Sequence, residues 1–264
     1  MTDNHGLLGQ IPPETGHLSS MENLVIKHEE NLTGEIPTTL GHLRNVRQLG
    51  LYHNKLTGTV PFQLFRLTEL RYLNLQNNEF VGTLSPQIEF LTDLETLVLQ
   101  ENKFHGSLPF KSLSRTSVKL LALGNNRFAG SIPDLLGDFS DLTYLYLDGN
   151  LLEGEIPTSI GLASTLKSLN LDHNGLNGRV PSTFGELPQL EYLSMQHNNF
   201  TGPLPSELGL MTSLTSLNLA SNDLSGPIPD LSNLKSLNSL YLYKNRLTGP
   251  IPESVTRLDS LGKY

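Results

Sequence analysis

One asparagine recurs at a fixed interval along this 264-residue chain, and each copy is followed by a glycine four residues later. The pattern is clearest between Leu49 and Pro61, where Asn54 precedes Gly58. Successive copies stand 24 residues apart, except that the last follows after 23. They are Asn54, Asn78, Asn102, Asn126, Asn150, Asn174, Asn198, Asn222 and Asn245. A single period over the whole length is typical of a solenoid, in which each unit stacks only on its neighbours.

A pair of apolar residues separated by one position precedes each asparagine, and this period of two predicts a short strand. Each strand is reached by one full turn of chain in the same direction, so neighbouring strands should be parallel and roughly 4.8 Å apart. The predicted strand pairs are Leu24/Ile26, Leu49/Leu51, Leu73/Leu75, Leu97/Leu99, Leu121/Leu123, Leu145/Leu147, Leu169/Leu171, Leu193/Met195, Leu217/Leu219 and Leu240/Leu242.

The residues after each strand must turn inward, and a buried turn leaves backbone N–H and C=O groups that need partners. An asparagine side chain offers both donors and an acceptor, so we expect the asparagines to satisfy these groups from repeat to repeat. The glycine then permits a positive φ, and the proline that usually follows three residues later fixes φ for a short helical turn on the outer side.

The best-formed repeat reads Leu43-x-x-Val46-x-x-Leu49-x-Leu51-x-x-Asn54-x-Leu56. It resembles the plant-type leucine-rich repeat of receptor-kinase and receptor-like-protein ectodomains and of polygalacturonase-inhibitor-like proteins. The resemblance implies an α/β repeat fold, a right-handed leucine-rich-repeat solenoid with a parallel concave β-sheet and short 3-10 or helical turns on the convex side. We expect one domain over residues 1–264, with about ten repeats of 23–25 residues and no caps at either end.

Two places depart from the repeat. Glu29 and Glu30 stand where an asparagine is expected, and the spacing there is one residue longer, so we expect this end to be irregular. Arg115 falls in the position of a core leucine, beside the segment 110–114. We expect a local bulge that moves Leu113 inward and leaves the Arg115 head group in water.

Charge and composition exclude several classes of protein. Lys and Arg number 18 against 26 Asp and Glu, a net charge of −8, whereas nucleic-acid binders gather basic residues on one face. No cysteine is present for disulfides or thiolate sites. The first six residues lack the pattern of a secretion signal, and no apolar run could insert into a membrane. An extracellular or cell-surface location is therefore implied by the resemblance alone.

Catalysis needs groups that converge in a sheltered pocket, whereas an open sheet offers a wide, wetted surface. The nearest approach to a triad is Asp172, His173 and Ser194, and it has neither a strained nucleophile turn nor a glycine-rich phosphate loop. We expect no enzyme and no cofactor.

Two pairs of histidines share one solvent-facing column on adjacent repeats. His28 and His53 form the first pair, and His173 and His197 form the second. Two histidines are too few for a closed metal site, so no metal is expected, although a response to pH near 6.5 stays open.

Two segments match the acceptor pattern for N-glycosylation, Asn31-Leu32-Thr33 and Asn199-Phe200-Thr201. The threonine also belongs to the repeat pattern, so the match alone does not separate chance from modification. It matters only if the protein is secreted.

Seven of the eight tyrosines lie at or beside predicted strands, in positions that alternate away from the core. They are Tyr52, Tyr72, Tyr144, Tyr146, Tyr192, Tyr241 and Tyr243. Aromatic side chains pack well across strands, so packing is one explanation. Exposed tyrosine is also enriched at binding surfaces, where it adds contact area.

Three of these tyrosines fall on three consecutive strands together with polar residues. We expect Tyr144, Tyr146 and Tyr192 to point outward on neighbouring strands about 5 Å apart, beside carboxylates that favour Lys or Arg on a partner. The predicted partner-binding residues, which we call the tyrosine patch, are Tyr144, Tyr146, Asp148, Asn170, Asp172, His173, Tyr192, Gln196 and His197.

The sequence therefore predicts a protein- or peptide-binding module, the recognition part of a receptor-like protein, with another repeat ectodomain among its candidate partners. The alternative is a secreted repeat protein that inhibits an enzyme by covering its cleft. An ice- or carbohydrate-binding surface would need one residue type repeated down a column. The middle strand positions instead change from Gly50 through Asn74 to Tyr146.

Overall fold

The fold is described from a computed structural model, which covers residues 6–29 and 31–256. The chain divides into two units between Phe128 and Ala129. Within the described part of the chain, no helix has both the length and the apolar character that crossing a membrane requires.

The predicted strands are present and parallel in both units, and we call them the first sheet. In the N-terminal unit they are Asn23–Val25, Gln48–Gly50, Tyr72–Asn74, Thr96–Val98 and Leu120–Ala122. In the C-terminal unit they are Tyr144–Tyr146, Ser168–Asn170, Tyr192–Ser194, Ser216–Asn218 and Ser239–Tyr241. Their central leucines pair in register, as Leu49 does with Leu73.

Short strands after the recurrent asparagines form a further set of parallel pairs, which we call the second sheet. In the N-terminal unit these strands are Leu8–Gly9, Asn31–Glu35, Lys55–Thr57, Val81–Gly82 and Lys103–Gly106. The strand Arg127–Gly130 spans the division between the units. In the C-terminal unit they are Leu151–Glu155, Gly175–Asn177, Thr201–Pro203, Asp223–Gly226 and Arg246–Leu247.

Most returns to the next first-sheet strand begin with a short helical turn. Most of these turns follow an extended proline such as Pro37, whose φ of −61° and ψ of 132° lead into the turn. The 3-10 helices are Pro13–His17, Thr38–His42, Phe62–Arg66, Pro86–Phe90, Leu136–Asp138, Thr158–Leu162, Ser182–Glu186 and Ser206–Leu210. The α-helical turns are Phe110–Leu113 and Glu253–Thr256.

The irregular segment near Arg115 contains one of these α-helical turns. Phe110–Leu113 forms an α-helical turn where other repeats have a 3-10 helix, and Leu113 is fully buried. The Arg115 side chain is exposed and pairs with Glu89. The expectation of an inward Leu113 and a solvated Arg115 head group is confirmed.

The core is built from buried apolar side chains that recur at the same positions of successive repeats. In the N-terminal unit Phe80, Phe104 and Phe128 are fully buried two residues after their asparagines. Their rings stack with centroids 6.2 Å and 6.4 Å apart. Such offset pairs add about 0.5–1.5 kcal/mol beyond the burial of their area, so adjacent repeats stabilise each other.

The recurrent asparagines bridge the repeats through buried hydrogen bonds, as predicted. The Asn198 side chain is 7% exposed, and its Nδ2 donates to the carbonyl oxygens of Leu171 at 2.9 Å and Met195 at 3.2 Å. Its Oδ1 accepts from the Leu176 N–H at 3.0 Å. One side chain therefore satisfies backbone groups of two repeats in a region that water does not reach.

A left-handed residue stands immediately before the asparagine in repeat after repeat. These residues have φ between 52° and 58° and are His53, Asn77, Glu101, Asn125, His173, His197, Ser221 and Lys244. His28, with a φ of 58°, precedes Glu29, which stands in the place of the asparagine. A non-glycine residue in this region costs about 1–2 kcal/mol, so the asparagine hydrogen bonds hold a backbone that would otherwise relax.

The recurring glycine has two separate reasons for lacking a side chain. Gly178 has a φ of 77°, which other residues adopt only with strain. A Cβ built on Gly178 would also lie 2.6 Å from Cγ of Glu155, whose side chain crosses it from the preceding repeat. Substitution at this position is therefore opposed by both the backbone and its neighbour.

Glu29 partly replaces the asparagine at the irregular end. It is 2% exposed, and its Oε2 accepts from the Leu7 N–H at 3.0 Å, as an asparagine Oδ1 does elsewhere. Its own N–H donates to Oδ1 of Asn54 at 3.0 Å. The neighbouring Glu30 lies outside the described residues.

Adjacent asparagines allow the scaffold to be tested. Asn198→Ala removes a side chain that serves buried backbone groups, and we expect it to lower the free energy of unfolding by ~1–3 kcal/mol. Asn199→Ala removes an exposed side chain and should change it by less than about 0.5 kcal/mol. Urea unfolding of both variants, produced without glycosylation, measures the difference. Equal losses would contradict the role assigned to Asn198.

Candidate functional site

The tyrosine patch lies on three consecutive first-sheet strands of the C-terminal unit. Tyr144 pairs with Ser168, which pairs with Tyr192. Because the strand Ser168–Asn170 lies between them, the two tyrosines are two strand spacings apart, about 10 Å. The expectation that Tyr144 and Tyr192 stand on neighbouring strands about 5 Å apart is wrong, because the repeat between them carries serine in this column.

The two separated tyrosines are the exposed tyrosines of the patch. Tyr144 is 38% exposed and Tyr192 is 36% exposed, whereas Tyr146 is half-buried. Ser168, between them, is only 8% exposed. Tyr144 and Tyr192 thus form two raised aromatic contacts, which we call the ridges, on either side of Ser168. The sequence prediction omitted this small polar residue. Its position in the tyrosine column was the signal that could have identified it.

Asp172 is buried, which corrects its expected role as an outward carboxylate. It is 7% exposed, and its Oδ1 accepts from the Ser194 hydroxyl at 2.6 Å and from the Gln196 N–H at 2.9 Å. Its Oδ2 accepts from the Gln196 Nε2 at 3.0 Å. A carboxylate can be buried when hydrogen bonds satisfy its oxygens. Asp172 therefore holds Ser194 and Gln196 in place, and it is not an exposed charge for a cationic partner.

This network extends to the Tyr192 ring. Burial raises the pKa of the Tyr192 hydroxyl, a hydrogen bond with Ser194 lowers it, and the negative charges of Asp172 and Asp148 raise it further. Ser194, whose hydroxyl donates to Asp172, is thus one of the groups that influence the pKa of the Tyr192 hydroxyl. Asp148 is half-buried, and it contributes negative charge near the ring.

Of the remaining polar residues of the patch, some are half-buried and hydrogen-bonded within the protein, and others are exposed to solvent. Asn170 is half-buried, and its Oδ1 accepts from the Asp172 N–H at 3.1 Å. His173 and His197 are exposed, and their rings stack with centroids 4.3 Å apart and planes 14° apart. Gln196 is half-buried by its contact with Asp172. The structure therefore brings the predicted residues together, but the Asp172 carboxylate is satisfied internally.

Comparisons with known proteins agree with this architecture. Residues 164–224 match a family model described as Leucine rich repeat, and residues 69–91, 141–162 and 236–258 match a second model of that description. The crystal structure of a TDR receptor is 33% identical, with a TM-score of 0.91 over 96% of this chain and 44% of its own. A plant ice-binding protein is 30% identical, with a TM-score of 0.81 over 94% of this chain and 79% of its own. The chain belongs to the leucine-rich-repeat family.

This leucine-rich-repeat chain is also similar to the solved structure of a receptor kinase. The Arabidopsis receptor kinase HAESA, solved with the peptide hormone IDA and the co-receptor SERK1, is 35% identical with a TM-score of 0.90 over 96% of this chain. The chain spans only 44% and 43% of the TDR and HAESA chains that it matches. No curated protein matches the sequence.

The triad considered from the sequence is not assembled as a nucleophile and base. Ser194 is fully buried, and its hydroxyl donates to Asp172, whereas His173 is exposed. A catalytic serine needs its base within hydrogen-bond reach and access to a substrate. Across residues 6–29 and 31–256, no cluster of three or more metal-ligating side chains occurs.

The first histidine pair of this leucine-rich-repeat chain lies in the N-terminal unit. The rings of His28 and His53 stack with centroids 4.6 Å apart, and Nε2 of His53 lies 3.2 Å from Nε2 of Gln76. Burial lowers the pKa of His53, and the positive charge of His28 lowers it further. Glu101 opposes this effect, and Lys27 adds to it weakly.

Folding therefore disfavours protonation of His53, which gives a pH dependence with a defined sign. Its pKa is lower in the folded than in the unfolded chain, so its contribution to stability is complete above the unfolded value of 6.5 and declines as the pH falls through the folded value. We expect NMR titration to give a higher pKa for His53 in His28→Gln than in the wild type. An unchanged pKa would show that the stacked partner does not influence it.

The buried network of the patch makes a second prediction. Asp172→Ala leaves the buried Ser194 hydroxyl without its acceptor and should lower the free energy of unfolding by ~1–3 kcal/mol. Ser194→Ala should also destabilise the protein, and the double variant should cost less than the sum of the two because they share one interaction. Urea unfolding of the three variants measures this coupling. Strict additivity would mean that the two side chains act independently.

Proposed function

We propose that this chain is the recognition segment of a receptor-like protein and that it binds an extracellular peptide or protein on the tyrosine patch. The whole protein's role in signalling belongs to the same proposal, because the chain spans less than half of the receptor chains that it matches. A second repeat ectodomain is a further partner in this proposal.

The solved relatives support the class of ligand. HAESA is in complex with a peptide hormone and a co-receptor. RGFR1, a plant peptide hormone receptor that is 30% identical over 97% of this chain, is in complex with RGF2. A fold does not determine a function by itself, so the proposal depends on the surface of this chain as well.

The observation that carries the proposal is the exposure of two tyrosines in one column. Tyr144 and Tyr192 keep more than a third of their surface in solvent although both stand on a packed parallel sheet. Core packing needs no such exposure. Rigid aromatic side chains provide contact area at low entropic cost, which is why they are enriched where proteins bind one another.

The buried network favours binding because it fixes part of the surface in advance. Ser194 and Gln196, in the same repeat as Tyr192, donate to the buried Asp172 carboxylate. A side chain that is already ordered loses less conformational freedom when a ligand arrives. The ligand we expect is an extended segment with an aromatic or apolar side chain for the ridges, and Asp148 favours a cationic residue next to it.

The similarity to an ice-binding protein raises a second candidate function. A surface that matches a regular lattice needs one residue type at equal intervals. The middle column of the first sheet in the C-terminal unit instead reads Tyr146, Asn170, Ser194, Asn218 and Tyr241. This variation favours an irregular ligand such as a peptide over ice on this face.

Peptide selection tests the proposed surface without knowledge of the natural ligand. Linear peptides are selected on the wild-type protein from a random displayed library, and their affinity is measured for Tyr144→Ala combined with Tyr192→Ala. We expect a loss of at least ~2 kcal/mol, roughly 30-fold in Kd, because aromatic anchors carry much of the energy of such contacts.

The matched control is Tyr241→Ala combined with Tyr243→Ala, which removes two exposed tyrosines from the same unit. Its affinity for the selected peptides should stay within a factor of about two of the wild type, since small surface effects are within ±0.5 kcal/mol. Loss in the control alone, or equal loss in both, would place the binding surface elsewhere. Selection of a folded enzyme from a secreted protein mixture would instead support the inhibitor alternative.

A further inference from the structure

The two glycosylation motifs lie at one position of the repeat, because each acceptor asparagine stands three residues before the recurring glycine, Gly34 or Gly202. In the first motif Asn31 and Thr33 are exposed, and Leu32 between them is 4% exposed. In the second, Asn199 and Thr201 are exposed, and Phe200 between them is fully buried. The alternation of a strand therefore directs both acceptor asparagines to solvent.

The structure separates these asparagines from the scaffold asparagines beside them. Asn198 is 7% exposed and hydrogen-bonded to two repeats, and the second residue after it is the buried Phe200. An asparagine at the scaffold position therefore lacks the hydroxyl residue that the acceptor pattern requires. The next position is held by its main chain, since the Asn199 N–H donates to the Leu176 carbonyl at 2.7 Å. Its side chain can carry a large substituent without loss of a core contact.

We propose that Asn31 and Asn199 are N-glycosylation sites. The donor is a lipid-linked diphospho-oligosaccharide. A bond forms between the asparagine Nδ2 and the first sugar carbon, the bond from that carbon to the diphosphate breaks, and Nδ2 loses one proton while the lipid diphosphate leaves. The inference rests on the extracellular placement in the proposed function and goes beyond it in assigning a modification.

The position of Asn199 has a consequence for the tyrosine patch. Asn199 begins the second-sheet side of its repeat, whereas Tyr192 and Ser194 lie on a first-sheet strand of the same repeat. A glycan on Asn199 would therefore be attached on the second-sheet side of the repeat, two residues beyond His197 of the patch. A partner would then reach the patch from the first-sheet side.

The test directs the full chain through the secretory pathway of a eukaryotic cell with an added leader peptide. Peptide mapping by mass spectrometry should find oligosaccharide on Asn31 and Asn199, and enzymatic release of N-glycans should convert both residues to aspartate. Thr201→Ala should abolish modification of Asn199, and Thr201→Ser should retain it. Thr57→Ala is the matched control, because Thr57 has the same repeat position but follows Lys55 rather than asparagine.

A secreted wild-type protein with either asparagine unmodified would overturn the assignment of that residue. Retention of the glycan on Asn199 in Thr201→Ala would also overturn it, since the hydroxyl residue is part of the proposed site. Peptide binding by the unglycosylated protein from bacteria is measured separately. Loss of modification with intact binding therefore refutes this inference alone, whereas loss of binding with intact modification refutes the proposed function alone.

Discussion

The buried amide of the recurrent asparagine is the interaction on which the other features of each repeat depend. It satisfies N–H and C=O groups at the point where the chain leaves the first sheet, as Asn198 does for Leu171, Met195 and Leu176. Those groups could not be buried without partners, because each unsatisfied one costs about 1–3 kcal/mol. The inward turn, the left-handed residue before it and the buried side chain two positions later all follow from that satisfied turn.

The regular features of the fold were predictable because they arise from backbone requirements that recur with the sequence period. A strand needs alternation, a buried turn needs an amide, and a left-handed glycine needs the absence of Cβ, so each requirement leaves a residue type at a fixed place. Glu29 shows the limit of this reasoning. Its burial and its bond to Leu7 reproduce part of the asparagine function, yet a glutamate in that place indicated only irregularity.

The candidate site was less predictable because its properties depend on neighbours that are far apart in sequence. Asp172 was expected to face a cationic ligand, and it is buried because Ser194 and Gln196 of the next repeat donate hydrogen bonds to its carboxylate. The left-handed conformation of His173 and His197 left no sequence signal, because the hydrogen bonds of the following asparagine fix that conformation for many side chains. The sequence period was enough to say which residues share a column of the sheet, such as Tyr146, Asn170 and Ser194. Whether each side chain is buried or exposed could be read only from the structure.

The Asp172 network buries a charged group, which the apolar core of a repeat does not require. The repeat already buries enough apolar surface, and a buried carboxylate adds a desolvation cost that its hydrogen bonds must offset. A carboxylate in this position is useful if it fixes the side chains around it. Ser194 and Gln196 are hydrogen-bonded to it directly, so one buried charge orders two side chains in the repeat that also carries Tyr192. Order that is established before a ligand arrives lowers the entropic cost of binding. Side chains that vary from repeat to repeat can thus be fixed in place by one another, while the backbone of the repeat stays the same.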